Sequence, residues 1–225
     1  MFAYAMKVED YIQTDLLPLQ FNQRVDFALG MMDEMKVSHL PLLNGDIFLG
    51  LVSEEQLNDV EDETCTLSNA NIFPFTIFIG VERPIHDLLQ VFAKSEYSMV
   101  PVLSTDGLYA GYISATKMCR ELAKMLQADK AGGILIFEMA KENYHLSEIA
   151  HLLETEDVRI INLMTIPLAE SQEMQIIIKV DTLDLARIVK TFSRFEYNVK
   201  ASQYEDSMDL NQNDRYELLM KYLNF

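Results

Sequence analysis

The chain writes one stretch twice. Ser38 to Ser53 reads SHLPLLNGDIFLGLVS, and Ser98 to Ser114 reads SMVPVLSTDGLYAGYIS. Pro41 and Pro101 stand 60 residues apart, as do Ser38 and Ser98, whereas Gly50 and Gly111, and Ser53 and Ser114, stand 61 apart. The extra residue falls where Asn44-Gly45-Asp46 becomes Ser104-Thr105-Asp106-Gly107. Both segments carry turn residues, and turns are where insertions are tolerated. The register extends upstream, where Val25, Ala28, Leu29 and Met32 answer Ile85, Leu88, Leu89 and Phe92. Each set lies at i, i+3, i+4, i+7, one apolar helix face. Pro84 suits the first turn of the second helix. Each copy therefore reads helix, strand, turn, strand, helix. The strands are Leu40 to Leu43 and Ile47 to Val52, then Val100 to Leu103 and Leu108 to Ile113. The closing helices start near Glu54 and Ala115. A hairpin with flanking helices cannot bury its apolar faces alone. The repeat thus demands that the two copies pack on each other, with sheets meeting about a pseudo-twofold.

Composition narrows the setting. The chain has 225 residues, 49% hydrophobic, enough for one large or two modest cores. Its longest apolar runs fall short of a bilayer span, and its first residues lack the pattern of a secretory signal. Two cysteines, Cys65 and Cys119, do not make a disulfide framework, so a cytoplasmic setting is expected. Lys plus Arg is 18 against 35 Asp plus Glu, a net charge of −17. Such a surface disfavours nucleic acid and anionic membranes as partners. It leaves room for a small nucleotide, because backbone N–H groups at helix starts supply local positive field.

The second half changes pattern after Gln127-Ala128-Asp129-Lys130-Ala131-Gly132-Gly133, a boundary candidate. Ile134 to Met139 is strand-like. Leu146, Ile149, Ala150 and Leu153 mark a helix. Val158 to Leu168 and Met174 to Val180 are strand-like, and Leu185, Ile188, Val189, Phe192 and Phe195 mark a second helix. Tyr197 to Tyr204 closes a β-α-β-β-α-β order, the ferredoxin-like arrangement with both helices on one face of an antiparallel sheet. Tyr216, Leu219 and Leu223 stand at helical spacing in a C-terminal tail over 206–225.

The repeated pattern of apolar helix, apolar residues around Pro, Gly-containing turn and Gly-hydrophobic-hydrophobic-Ser resembles a tandem cystathionine-β-synthase (CBS) domain pair. The likeness runs from about Met6 to Gln127, with repeat one over about 6–60 and repeat two over about 72–127. Met6 to Ile12 is similar to the lead-in of such pairs. Residues 133–205 resemble an ACT domain in topology. Tyr144 stands near the position where amino-acid-binding ACT domains carry Gly. The resemblance implies an α+β protein: a CBS pair (βαββα twice) plus a C-terminal ferredoxin-like, ACT-like βαββαβ domain. This domain order also resembles the acetoin-utilisation type of bacterial regulatory protein.

The candidate binding residues come from the repeated segments. At Gly50 to Ser53 and Gly111 to Ser114, glycine allows close backbone approach, and the Ser53 and Ser114 hydroxyls with the following N–H groups suit a phosphate. The same hydroxyls are equally N-caps of the closing helices. The resemblance implies an Asp three residues after each Ser, bonding ribose. Here those positions are Gln56, which can still bond a ribose, and Lys117, which can pair only with an anion. The segments before each proline, Val37-Ser38-His39-Leu40 ahead of Pro41 and Tyr97-Ser98-Met99-Val100 ahead of Pro101, lie on the edge that lines the base and ribose pocket in the family. His39 is a stacking or bonding group there, or a partly exposed edge histidine. Met31, Met32, Met35, Met99, Met118 and Met125 read as core filler or as a deformable interface. Cys119 reads as packed within its helix. Asp59-Val60-Glu61-Asp62-Glu63 reads as a solvated linker. No nucleophile elbow, P-loop, zinc or dithiol motif occurs. The expectation is a homodimeric regulatory protein without catalytic or metal-binding residues. It would sense an adenine nucleotide (AMP, ATP, NAD or S-adenosylmethionine) and relay it by a change of domain or subunit orientation. The alternative is a dimeric scaffold with degenerate pockets that binds an unidentified protein partner.

Overall fold

The computed structural model describes residues 6–169 and 171–204, with side chains as far as residue 199. The tail helix expected over 206–225 lies outside the described residues. The chain divides into two compact units between Glu121 and Leu122.

The first unit contains the repeat as two βαββα copies. Copy one is β1 (Leu19–Gln20), α1 (Val25–Met35), β2 (His39–Asn44), β3 (Ile47–Ser53) and α2 (Glu54–Asn58). Copy two is β4 (Ile79–Gly80), α3 (Ile85–Lys94), β5 (Met99–Leu103), β6 (Tyr109–Ser114) and α4 (Ala115–Met125). The division between the units therefore falls inside α4. Each copy forms a three-stranded sheet, β1-β2-β3 or β4-β5-β6, with a parallel first pair and an antiparallel second pair. Pro84 sits just outside α3 as its N-cap, in an extended conformation.

Both hairpins slip register at the same place. In copy one Leu42 pairs with Gly50 but Leu43 pairs with Phe48. In copy two Val102 pairs with Gly111 but Leu103 pairs with Tyr109. One extra residue, Leu49 or Ala110, bulges the strand just before each glycine.

The copies exchange their leading segments. Val25 N–H donates to Cys65 O at 3.1 Å, and Ile85 N–H donates to Met6 O at 2.8 Å. Leu51 and Phe75 exchange two backbone bonds of 2.9 and 2.7 Å, and Tyr112 and Gln13 exchange two of 3.0 and 2.8 Å. The chain before copy one thus runs along copy two, and the chain before copy two runs along copy one. The linker is largely exposed over residues 59–63, as expected of a solvated segment, and only then turns inward. It ties residues 63–68 to 21–26 by backbone bonds and buries Leu67, as the lead-in buries Val8. One shared core results, in which Leu19, Val25, Met32, Leu40 and Leu51 of copy one cluster with Met99 and Tyr112 of copy two. Met118 is buried too, whereas Met35 is exposed. Cys119, expected to pack, is exposed on α4. Among the described residues no helix is long and apolar enough to cross a membrane.

The second unit runs β7 (Gly132–Ala140), α5 (Leu146–Glu154), β8 (Ile160–Pro167), β9 (Glu173–Val180), α6 (Ala186–Arg194) and β10 (Lys200–Tyr204). Its strands order β10-β7-β9-β8, all antiparallel, as the ferredoxin-like reading requires. Strand alternation sends Leu135, Phe137, Ile176 and Ile178 into one core with Ile149 and Leu153 of α5 and Ile188 and Phe192 of α6. Gly132 and Gly133, read as part of a boundary, instead open β7. A Cβ there would strike Val180 O or the Leu185 side chain. Tyr144 is extended and packs against this core.

Candidate functional site

A cleft of about 610 Å³ opens beside the β3–α2 turn of copy one. Ser38 and His39 line it from the head of β2, and Ser53 and α2 line it opposite. Phe75 comes from the crossing segment, and Glu96 and Tyr97 come from the residues before β5. Its walls are therefore drawn from both copies. A larger cleft of about 670 Å³ runs along α3. Of the repeat-derived candidates none lines it, and its Arg83 and Asp87 pair with each other.

His39 is the polar centre of the smaller cleft. Ser98 N–H donates to His39 Nδ1 at 3.3 Å, and the Ser38 and Ser98 hydroxyls lie 3.1 and 3.2 Å from the same nitrogen. A backbone N–H can only donate, so Nδ1 is the acceptor and the ring proton sits on Nε2. Burial holds the imidazole below its ordinary pKa, favouring this neutral form. The ring meets Tyr97 edge-on at 5.5 Å, and Phe75 lies 6.5 Å from it and 5.4 Å from Tyr97. Three aromatic rings thus form a small cluster facing the cleft.

The two serines are engaged as caps. In copy one Gln56 N–H donates to Ser53 Oγ at 3.2 Å, and Ser53 N–H donates to Gln56 Oε1 at 3.1 Å, a closed capping box. Gln56 Nε2 donates to Phe73 O at 2.8 Å, so this side chain also holds the crossing segment. In copy two Lys117 has no acceptor to offer Ser114 N–H. Gln13 supplies it instead: Oε1 accepts from Ser114 N–H at 3.1 Å and from Ser114 Oγ at 2.9 Å. Lys117 Nζ pairs with Glu121 at 3.1 Å. Beside it the Tyr112 hydroxyl donates to Asp15 at 2.9 Å. Burial and that carboxylate push the phenol pKa up to about 12.

The glycines make room for the chain itself. A Cβ on Gly50 would stand 2.6 Å from Pro74 Cβ and 2.9 Å from Phe75 O. A Cβ on Gly111 would stand 2.5 Å from Gln13 O. Both have positive φ, 152° and 139°. Pro41 and Pro101 are buried within β2 and β5, and Met99 is a fully buried core residue. Of the sequence candidates, Ser38, His39 and Ser53 line the cleft, and Ser98 reaches it through His39. Pro41, Gly50, Gln56, Met99, Pro101, Gly111, Ser114 and Lys117 do not line it.

The sequence reading missed Phe75 and the cleft's charge. Glu54, Glu55, Asp59 and Glu96 line it, and no lysine or arginine does. Tyr97 belongs to the segment before Pro101 that the repeat singles out, and Glu96 stands directly before it, where Lys36 stands before Val37. Nothing local marks Phe75, whose role depends on a long-range crossing.

No family model matches the chain. Solved structures similar to about half of it include CBS-pair proteins. A CBS domain pair/ACT domain protein from Thermotoga maritima is 22% identical over 53% of this chain and 98% of its own, with a TM-score of 0.48. CBSX2 from Arabidopsis thaliana is 18% identical over 55% of this chain and 98% of its own, with a TM-score of 0.48. CBSX2 solved in complex with AMP is 18% identical over 53% of this chain and 97% of its own, with a TM-score of 0.47.

Proposed function

We propose that this protein is a non-catalytic regulatory sensor whose first unit is a CBS pair, binding a small adenosine-containing ligand in the copy-one cleft. The observation that carries this reading is the origin of the walls: His39 from copy one, Tyr97 from copy two and Phe75 from the crossing segment. A ligand held there touches the groups that join the copies, so it favours one of their arrangements. The shift available is only the ligand's difference in affinity for the two arrangements. The relay continues along α4, which starts at the Ser114 cap and whose final turn belongs to the second unit. There Asn162 and Lys179 donate to the carbonyls of Leu126 and Gln127, each at 2.5 Å, fixing the end of the helix to β8 and β9. The second unit acts as an ACT-like reporter, and the protein works as a cytoplasmic homodimer, checked by light scattering at micromolar concentration.

The test is a thermal-shift screen of AMP, ATP, NAD and S-adenosylmethionine on the full chain. A ligand at about one hundred times its Kd adds roughly 2.7 kcal/mol. That raises Tm by several degrees. The shift is expected to disappear in His39→Ala and Tyr97→Ala. No shift with any of them at millimolar concentration would overturn the sensor reading. A second reading, a dimeric scaffold with degenerate pockets, is favoured by copy two, where Gln13 takes both polar groups of Ser114. Capture of a protein partner by ligand-free protein would support it.

A further inference from the structure

We infer that the cleft of copy one accepts an organic cation and rejects phosphate-bearing ligands. The inference rests on the reading of this cleft as the ligand site and names the chemical class it takes. Two features of the wall lead to it.

The first is the aromatic cluster. His39 and Tyr97 meet edge to face at 5.5 Å, and Tyr97 and Phe75 are tilted at 5.4 Å. The neutral imidazole adds no positive charge, because its Nδ1 is already an acceptor. All three rings line the cleft of about 610 Å³, and aromatic rings attract ammonium or sulfonium groups through their electron-rich faces.

The second is the sign of the charge, since the wall offers a phosphate no cationic side chain. At the start of α2, Glu54 N–H donates to Ser38 O, Gln56 N–H to Ser53 Oγ and Ser53 N–H to Gln56 Oε1, so what the wall still offers an anion is neutral donors and no cationic one. Glu54, Glu55, Asp59 and Glu96 rim the cleft, and among the described residues none has an ion-pair partner or a lysine or arginine beside it in the wall. A phosphate entering would meet like charge from several sides. A cation would meet opposite charge and aromatic faces together.

Titration calorimetry on the full chain at low salt, with four probes, separates charge from nucleoside. S-adenosylmethionine is a cationic adenosine, adenosine is neutral, AMP is anionic, and choline is a cation without the nucleoside. The expected order is S-adenosylmethionine tightest, adenosine about tenfold weaker and AMP weakest. Glu55→Gln and Glu96→Gln should each weaken S-adenosylmethionine by about threefold and leave adenosine unchanged. Tyr97→Leu should weaken it by about five- to tenfold. Choline binding alone would sustain the cation inference and end the adenosine reading. AMP binding as tightly as S-adenosylmethionine, with loss in Tyr97→Leu, would overturn the inference and leave the sensor standing. Silence from all four at millimolar concentration would overturn both.

Discussion

At Ser53 the capping partner stands three residues ahead, whereas at Ser114 it comes from 101 residues back in the chain. The need is the same, an acceptor for a serine N–H at a strand-to-helix turn. The sequence shows why the answers differ, since Gln56 can accept and Lys117 cannot. Two further residues carry expectations of their own. The Tyr109 hydroxyl is buried and has no hydrogen-bond partner among the described residues, while its ring stacks on Phe48 at 6.4 Å. Burial, with Tyr112 nearby, raises the pKa of its phenol. Tyr109→Phe keeps the stacking and removes the orphaned group, so stability should rise by about 1 kcal/mol. A lower midpoint in urea unfolding would show that the hydroxyl has a partner. His39 carries a pH dependence. Burial depresses its folded pKa below the ordinary value of 6.5, so between those values the unfolded chain binds the proton more readily. Its contribution is full above pH 6.5 and is lost as pH falls through the folded pKa. Protonation also takes Nδ1 from the Ser98 N–H. Glu54, Glu55, Asp59 and Glu96 in the same cleft favour the charged ring and reduce the effect. Wild type should lose more Tm than His39→Gln between pH 7.5 and 5.5. Equal losses would remove His39 as the cause.

At the scale of elements, the hairpins, their crossing segments and the glycines form one device. Each bulge turns a strand so that a foreign backbone can cross at Gly50 or Gly111. Gly50→Ala and Gly111→Ala add a strained φ and a contact with backbone or proline, neither of which can move away cheaply. Each is expected to cost about 2–4 kcal/mol, read from denaturant midpoints. A change below 0.5 kcal/mol would mean that the crossing segments are loosely held. How much of this was legible follows from periodicity. Helices α1 and α3 show four apolar residues at helical spacing, and the hairpins repeat in register, so both could be read. The strands β1 and β4 have two residues each, too few to show a period. The ferredoxin-like order of the second unit was legible because its strands and helices alternate in clear blocks. Gly132-Gly133 misled, because a close approach to Val180 and Leu185 leaves the same trace in sequence as a linker. At the site, the repeated serines and His39 could be read. The engagement of Ser114 by Gln13 and the placing of Phe75 depend on partners far along the chain.

At the scale of the molecule, the repeat and the exchange of leading segments make the first unit one body with one shared core. Neither copy completes its own sheet surface, since each glycine is covered by the chain that introduces the other copy. The surplus of 35 acidic over 18 basic residues appears locally at the cleft, where four carboxylates face no lysine or arginine in the wall. Bulk composition argued only against nucleic acid and anionic membranes. The cleft applies the same electrostatics to a small ligand. The central claim is that one ligand there engages both copies at once. Hydrogen–deuterium exchange with and without 1 mM S-adenosylmethionine, on the order of a cellular metabolite working range for KM values, tests it most directly. The expected result is slowed exchange together at the Ser98 amide that bonds His39, at the Leu51–Phe75 crossing and along α2. Protection confined to one copy, or none in the first unit, would contradict it.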